Sequence, residues 1–305
     1  MGGCETNKQY DGQEANWINF IWAPNKSAIF LPVKINNIPD KFKAQLDLGA
    51  ITTEIYANTF NPYLTEHPEL YEKIDTINSI FSYNGNVVGQ IKGIDLKFGN
   101  LNYKNQTLSY HTNYGLPLTL FRKEKLIPII GTIAPDLFKN KFLVIDFKNH
   151  RIAVLDSLNN SFNKIDFVKM RLDMHRIKVP LLIDGKEKYF MFDTGSSLFP
   201  MAVYKDNWDL IRELNSKIDT ITVNSWGKPH TFFGAKIKST IQIGDYKIEA
   251  DKFKVYCDTL KVTKSFYKKE KIFGIIGNSF FLDKTIIIDY KNKRFGIITS
   301  ANNGS

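Results

Sequence analysis

Tyr189-Phe190-Met191-Phe192-Asp193-Thr194-Gly195-Ser196-Ser197 carries an aromatic, apolar strand straight into an aspartate, a hydroxyl and a glycine. A carboxylate at the end of a buried strand is costly unless it has partners or a task. The glycine permits the tight turn that must follow. Taken alone, the segment reads as an Asx-type turn closing a strand.

The segment has a counterpart. Gln45-Leu46-Asp47-Leu48-Gly49-Ala50 is a second Asp-x-Gly at the end of an apolar strand, 146 residues earlier. A second pair of motifs keeps that offset: Ile129-Ile130-Gly131 and Ile275-Ile276-Gly277, so that 84 residues separate Asp from Gly in each half. Spacing held over such an interval points to an internal duplication into two lobes of similar build.

Outward from the two aspartates, each half repeats one schedule. Residues 29–35 and 42–46 read as a hairpin that delivers Asp47; residues 177–183 and 189–192, joined at Asp184-Gly185, read as the hairpin that delivers Asp193. The stretch 64–74 is expected to be helical, as is its counterpart, where Trp208, Ile211, Leu214 and Ile218 are spaced for one helical face. A glycine-containing hairpin follows in each half, around 82–89 and 224–234, then alternating apolar positions at Ile94, Leu96 and Phe98 and at Ile241 and Ile243. Each half closes on a strongly apolar strand ending in Ile-Asp, at Asp146 and Asp289, with a Lys-Asn turn and a last strand after it. The expected organisation is a polar tether over 1–24, a first lobe over 25–156, a linker over 157–170 rich in Ser and Asn at its start, and a second lobe over 171–300. Many strands and few helices give a mainly β class.

Composition narrows the function. At 305 residues, with 43% hydrophobic and 24% charged residues, the chain can bury two globular cores. No run reaches the roughly 18 apolar residues of a membrane-spanning helix. The net charge of +10 is spread along the chain, and its densest patch, Lys268-Lys269-Glu270-Lys271, is broken by an acid, so nucleic acid is not an expected partner. Two cysteines, Cys4 and Cys257, far apart in sequence, argue against a structural disulfide. The five histidines (67, 111, 150, 175 and 230) are isolated, so no metal site and no cofactor are expected. The start, Met1-Gly2-Gly3-Cys4, has no charged and apolar leader of its own; Gly-Cys ahead of a polar arm is similar to the mature end of a bacterial lipoprotein, with Cys4 as the lipid anchor. That likeness implies a place outside the cytoplasm, in the periplasm or envelope.

Two Asp-x-Gly strands, each followed by an apolar-apolar-Gly element, resemble the bilobal aspartic peptidases of the pepsin and retropepsin type, over most of residues 25–300. The resemblance implies two β-barrel lobes related by a pseudo-twofold axis, with a cleft between them. It implies Asp47 and Asp193 as a catalytic dyad, supported by Gly49, Thr194, Gly195 and Ser196, and Ile130-Gly131 and Ile276-Gly277 as loops packed behind them. Tyr83, in Tyr-Asn-Gly with Gly85, is similar to the family's flap tyrosine, and the hairpin at Trp226 is placed as a second, partial flap. Leu48 departs from the pattern, which has a hydroxyl there; that hydroxyl takes part in crossed hydrogen bonds between the two loops, and Thr194 still supplies its half. The activity implied is peptide-bond hydrolysis by a monomer, on a peptide or protein substrate held across the cleft. The alternative is a protein of the same build that binds in the cleft with little or no turnover.

Overall fold

The computed structural model describes residues 16–78, 81–83, 86–158, 165–225, 228–248 and 252–298. Among them the chain is mainly β, in three sheets. The first sheet has nine strands and is built on Ile29–Ile35, Phe42–Leu46 and Ile129–Ile133. It curls shut where Lys34 and Ile35 pair with Lys97 and Leu96 of the long strand Asn86–Phe98. The alternation foreseen there holds, with Ile94, Leu96 and Phe98 all buried. The second sheet has ten strands around Arg176–Ile183, Lys186–Phe192 and Gly274–Ile276. A six-stranded sheet joins the lobes, since Phe142–Asp146 of the first pairs antiparallel with Thr285–Asp289 of the second. These near-continuous apolar runs suit strands buried on both faces.

One supersecondary plan occurs twice. Phe42–Leu46 pairs in parallel with Ile129–Ile133, which pairs antiparallel with Glu54–Tyr56. Lys186–Phe192 pairs in parallel with Gly274–Ile276, which pairs antiparallel with Met201–Tyr204. Parallel partners far apart in sequence carry each aspartate out of its sheet at a fixed height: the Asp47 N–H donates to the Ile133 carbonyl and the Asp193 N–H to the Ile276 carbonyl, each at 2.9 Å.

Those two bonds correct the sequence alignment of the lobes. Ile276 corresponds to Ile133, not to Ile130, so the offset between lobes falls from 146 at the aspartates to 143 beyond them. The structural mates are therefore Gly131 with Gly274, and Ala134 with Gly277. Gly131 and Gly274 both lie where a side chain would strike a neighbouring strand: a Cβ would come within 1.9 Å of the Glu54 carbonyl oxygen and 2.5 Å of that of Ala202. A one-turn 3-10 helix follows each second member, Pro135–Phe138 after Ala134 and Asn278–Phe280 after Gly277.

Other expectations also shift. The helix found at the expected place in the second lobe is Lys205–Ile211, and Leu214 and Ile218 lie outside it, exposed. Beyond Ile211 the backbone is taken by another strand, with Glu213 N–H donating to Lys236 and Lys238 N–H donating to Ile211. In the first lobe an α-helix, Ala57–Leu64, ends where the expected one begins, and the stretch 64–74 holds a 3-10 helix, Pro68–Lys73, started by a proline whose missing N–H suits a first turn. The end of the expected tether is part of the fold: Ile18–Asn19 pairs with Arg151–Leu155, Ile21–Trp22 pairs with Ile29–Ile35, and Ile18 and Phe20 are buried. Within the expected linker, Phe167–Lys169 is one of the two edge strands of the joining sheet.

Candidate active site

The two sheets bring Asp47 and Asp193 together. Their carboxyls lie close enough for each to perturb the other's ionisation. The glycines two residues on make that approach sterically possible. A Cβ on Gly49 would sit 2.5 Å from the Asp193 carboxyl carbon, and one on Gly195 would sit 2.6 Å from Asp47 Oδ2. Each glycine thus leaves room for the other lobe's acid. Asp47 Oδ1 accepts the N–H groups of Gly49 and Ala50, both at 3.0 Å; Asp193 Oδ1 accepts that of Gly195 at 2.8 Å, and the Ser196 N–H donates to the Asp193 backbone carbonyl at 3.1 Å.

One side chain stitches the loops across the lobe boundary. The Thr194 hydroxyl accepts the Leu48 N–H at 2.8 Å and donates to the Leu46 carbonyl at 2.7 Å. Leu48 is fully buried and offers nothing polar in return. Half of the crossed arrangement is therefore present.

Both aspartates retain partial solvent access, yet protein around the carboxyls shifts them. Desolvation raises Asp47 well above the ordinary carboxylate value, and the neighbouring charge of Asp193 adds to the rise. Asp193 is also raised by desolvation, but the Gly195 N–H, the Asp47 carboxyl, the Ser196 N–H and the Arg176 charge oppose that rise. Two carboxyls in contact do not both ionise readily, and such a pair holds one proton between its members. The arrangement can offer a base and an acid at one point.

Several supporting residues carry no sequence signal of the Asp-x-Gly kind. Asn278, fully buried, donates to the Thr194 carbonyl at 3.0 Å and to Ser197 Oγ at 2.5 Å, while Ser197 Oγ donates to the same carbonyl. In the first lobe the Asp136 carboxylate accepts both the N–H and the hydroxyl of Thr53, and the Thr53 hydroxyl in turn accepts the Ala134 N–H. Tyr56 and Thr132 share a hydroxyl–hydroxyl bond at 2.5 Å, and burial raises the Tyr56 phenol, with the charges of Tyr114, Glu54 and Asp47 adding to the rise. The polar residue after Ile276-Gly277 was the available hint for Asn278; nothing local marks the others.

Tyr83 ends the strand Phe81–Tyr83, which pairs with Asn86–Phe98 through Tyr83 and Asn86, so a hairpin stands at the expected flap. Asp219–Ser225 and Lys228–Lys236 form the corresponding hairpin of the second lobe. The Tyr83 side chain, Gly85 and Trp226 lie outside the described residues, as does Cys4. Cys257 is buried, and burial pushes its thiol up to about 11, which removes it as a nucleophile. Among the described residues no cluster of three or more His, Cys, Asp or Glu side chains is placed to hold a metal ion.

Solved structures share this architecture. The chain is similar to an aspartic proteinase from Irpex lacteus, with a TM-score of 0.53 at 12% identity over 95% of this chain and 98% of that one. It is similar also to the basic 7S globulin of soybean, with a TM-score of 0.54 at 8% identity over 93% of this chain and 96% of that one. No protein-family model matches the sequence, and no curated protein does. At these identities the likeness establishes the fold: pepsin-like, mainly β, in two barrel-like lobes.

Proposed function

We propose that the protein is an aspartic endopeptidase. One arrangement carries the reading: two lobes bring the carboxyls of Asp47 and Asp193 to one point, each packed against the glycine of the other's loop. Hydrolysis without a metal or a nucleophilic side chain needs one carboxylate to take a proton from water and one carboxylic acid to donate to the carbonyl oxygen. The hydroxide equivalent adds to the carbonyl carbon, and the tetrahedral adduct collapses as a proton passes to the leaving nitrogen. An extended peptide is the substrate, bound where the hairpins bearing Tyr83 and Trp226 would cover it. The aspartic proteinase of the same fold supports this reading.

A second reading has its own support. Leu48 leaves the Asp47 loop without a crossed bond of its own, and one structural neighbour is named as a globulin. A cleft that binds peptide with weak or no turnover fits both facts.

Cleavage of a mixed peptide library from acid to neutral pH separates the two. The first reading expects a bell-shaped profile needing one ionised and one protonated carboxyl, inhibition by a statine-type mimic, and loss of turnover by roughly 100-fold or more in Asp193→Asn. Cleavage that survives both would belong to something else, and absence of cleavage with retained peptide binding selects the binding protein. We also propose that the protein is a monomer and, from the Gly3-Cys4 pair ahead of a polar arm, that it is lipid-anchored outside the cytoplasm. Fatty-acid labelling that marks the native protein and Cys4→Ser equally would refute the anchor, and sedimentation would refute the monomer.

A further inference from the structure

Behind Asp193 lies a group of buried charges that the reaction above does not use. Arg176, Lys178 and Glu270 are 5%, 6% and 4% exposed. Arg176 Nη2 donates to Glu270 Oε1 at 2.8 Å; Lys178 Nζ donates to the Glu270 backbone carbonyl at 2.7 Å and lies 3.0 Å from Glu270 Oε2 and from Asp173. Glu270 is the last residue of the helix Lys261–Glu270, so the cluster joins that helix to the first hairpin of the lobe.

Register gives the cluster its aim. Ile177 pairs with Phe192, and one further step along the hairpin sets Arg176 across from Asp193. In the first lobe Phe30 pairs with Gln45, and the same continuation sets Ala28 across from Asp47. The lobes therefore differ where it matters electrically: a guanidinium backs one aspartate and a methyl group the other. The Arg176 guanidinium is not fully engaged either, since its buried Nε has no hydrogen-bond partner.

We propose that Arg176 is the positioning residue that divides labour within the dyad: pinned by Glu270 across the hairpin from Asp193, it keeps Asp193 as the ionised member and leaves the proton on Asp47. Asp193 would then act as the base toward water and Asp47 as the acid toward the carbonyl, which rests on the peptidase reading; the charge assignment itself does not. Within the cluster Lys178 is committed to Glu270 and Asp173; outside it, Asp193 also interacts with Asp47 from the first lobe and with Tyr267 from the helix, whose phenol is raised by burial and by the charges of Asp258 and Asp193. Neither supplies a positive charge. Buried ion groups of this sort are often no more stabilising than apolar residues of equal volume, so stability alone does not account for this one.

The test uses two variants with opposite expected signs. In the full chain with carboxyl-13C aspartate, assigned through Asp47→Asn and Asp193→Asn, wild-type Asp193 should ionise before Asp47. Replacing the pair together, Arg176→Met with Glu270→Met, should raise the Asp193 transition by about one pH unit or more. Glu270→Gln, which frees the Arg176 charge, should lower it, and Arg176→Lys should hold it near wild type. If peptides are cleaved, the acidic limb of the pH–rate profile should move with the Asp193 transition in each variant. A purely structural cluster predicts weaker folding with that transition unmoved, and this result in folded variants overturns the proposal, as does Asp47 ionising first in wild type. Should the double variant not fold, Glu270→Gln and the wild-type order still decide. Failure of the peptidase reading would show separately, as absent cleavage beside an intact titration.

Discussion

After the second aspartate stands Thr194, whose hydroxyl reaches across the lobe boundary to Leu48 N–H and Leu46 C=O; after the first stands Leu48, buried and apolar, which reaches nothing. Behind the second aspartate the hairpin register sets Arg176, and behind the first Ala28. Beneath the second lies Asn278, bonded to the loop itself; beneath the first lies Asp136, bonded to Thr53 further along the chain. A duplicated framework has kept its backbone plan and specialised its polar groups. The second loop carries the interlobe bridge and the positive charge, so the common site depends on the second lobe more than on the first.

The largest effect on stability should follow from breaking that bridge. Thr194→Val keeps the shape of the side chain but leaves Leu48 N–H and Leu46 C=O buried without a partner. Each orphaned group costs about 1–3 kcal/mol, so denaturant unfolding should show a loss of roughly 2–6 kcal/mol. A loss no greater than that of an ordinary surface substitution would mean that the lobes are held by the joining sheet alone.

Next comes the charge difference. Asp47 is raised well above its ordinary value of 3.8, so the folded state binds its proton more tightly than the unfolded chain does. The stability from this group is complete below about 3.8 and is lost as pH rises through its folded value. Asp47→Asn, which cannot ionise, should then be more stable than wild type at pH 7. Below pH 3.8 that advantage should disappear. Thermal melts of both proteins from pH 3 to 8 measure it, and an advantage that is flat across pH would refute the desolvated, protonated Asp47.

The aspartates, their glycines and Thr194 were legible in the sequence because Asp-x-Gly after an apolar strand is a compact local signal. The true correspondence of the lobes was not. Gly274-Ile275-Ile276-Gly277 holds two glycines three residues apart, whereas the first lobe has Gly131 and then Ala134, so an apolar-apolar-Gly match joins the second glycine of one lobe to the first of the other. Helical spacing misled at Leu214 and Ile218, because the backbone beyond Ile211 is engaged by residues 236–238. Arg176 was invisible for a different reason: its partner Glu270 is 94 residues away, and only strand register reveals what stands across from Asp193.

The smallest effect, and the sharpest on the comparison, is expected from giving the first loop what the second has. Leu48→Thr offers a hydroxyl to the Thr194 N–H and the Phe192 carbonyl, worth about 0.5–1.5 kcal/mol for each bond made. It also removes apolar carbons from a fully buried position, at about 0.8 kcal/mol per methylene. The two nearly cancel, so the single variant should stay within about 1 kcal/mol of wild type. Coupling, not the single change, is the informative quantity. If the new hydroxyl completes a crossed pair, Thr194→Val should be less damaging in the Leu48→Thr background than in wild type, because the loops would retain one bridge of the two. Turnover should rise modestly as the Asp47 loop is held more firmly. Additive effects on stability, with no change in turnover, would instead show that the N–H groups of Gly49 and Ala50 already fix the Asp47 carboxyl and that the asymmetry between the loops costs the site nothing.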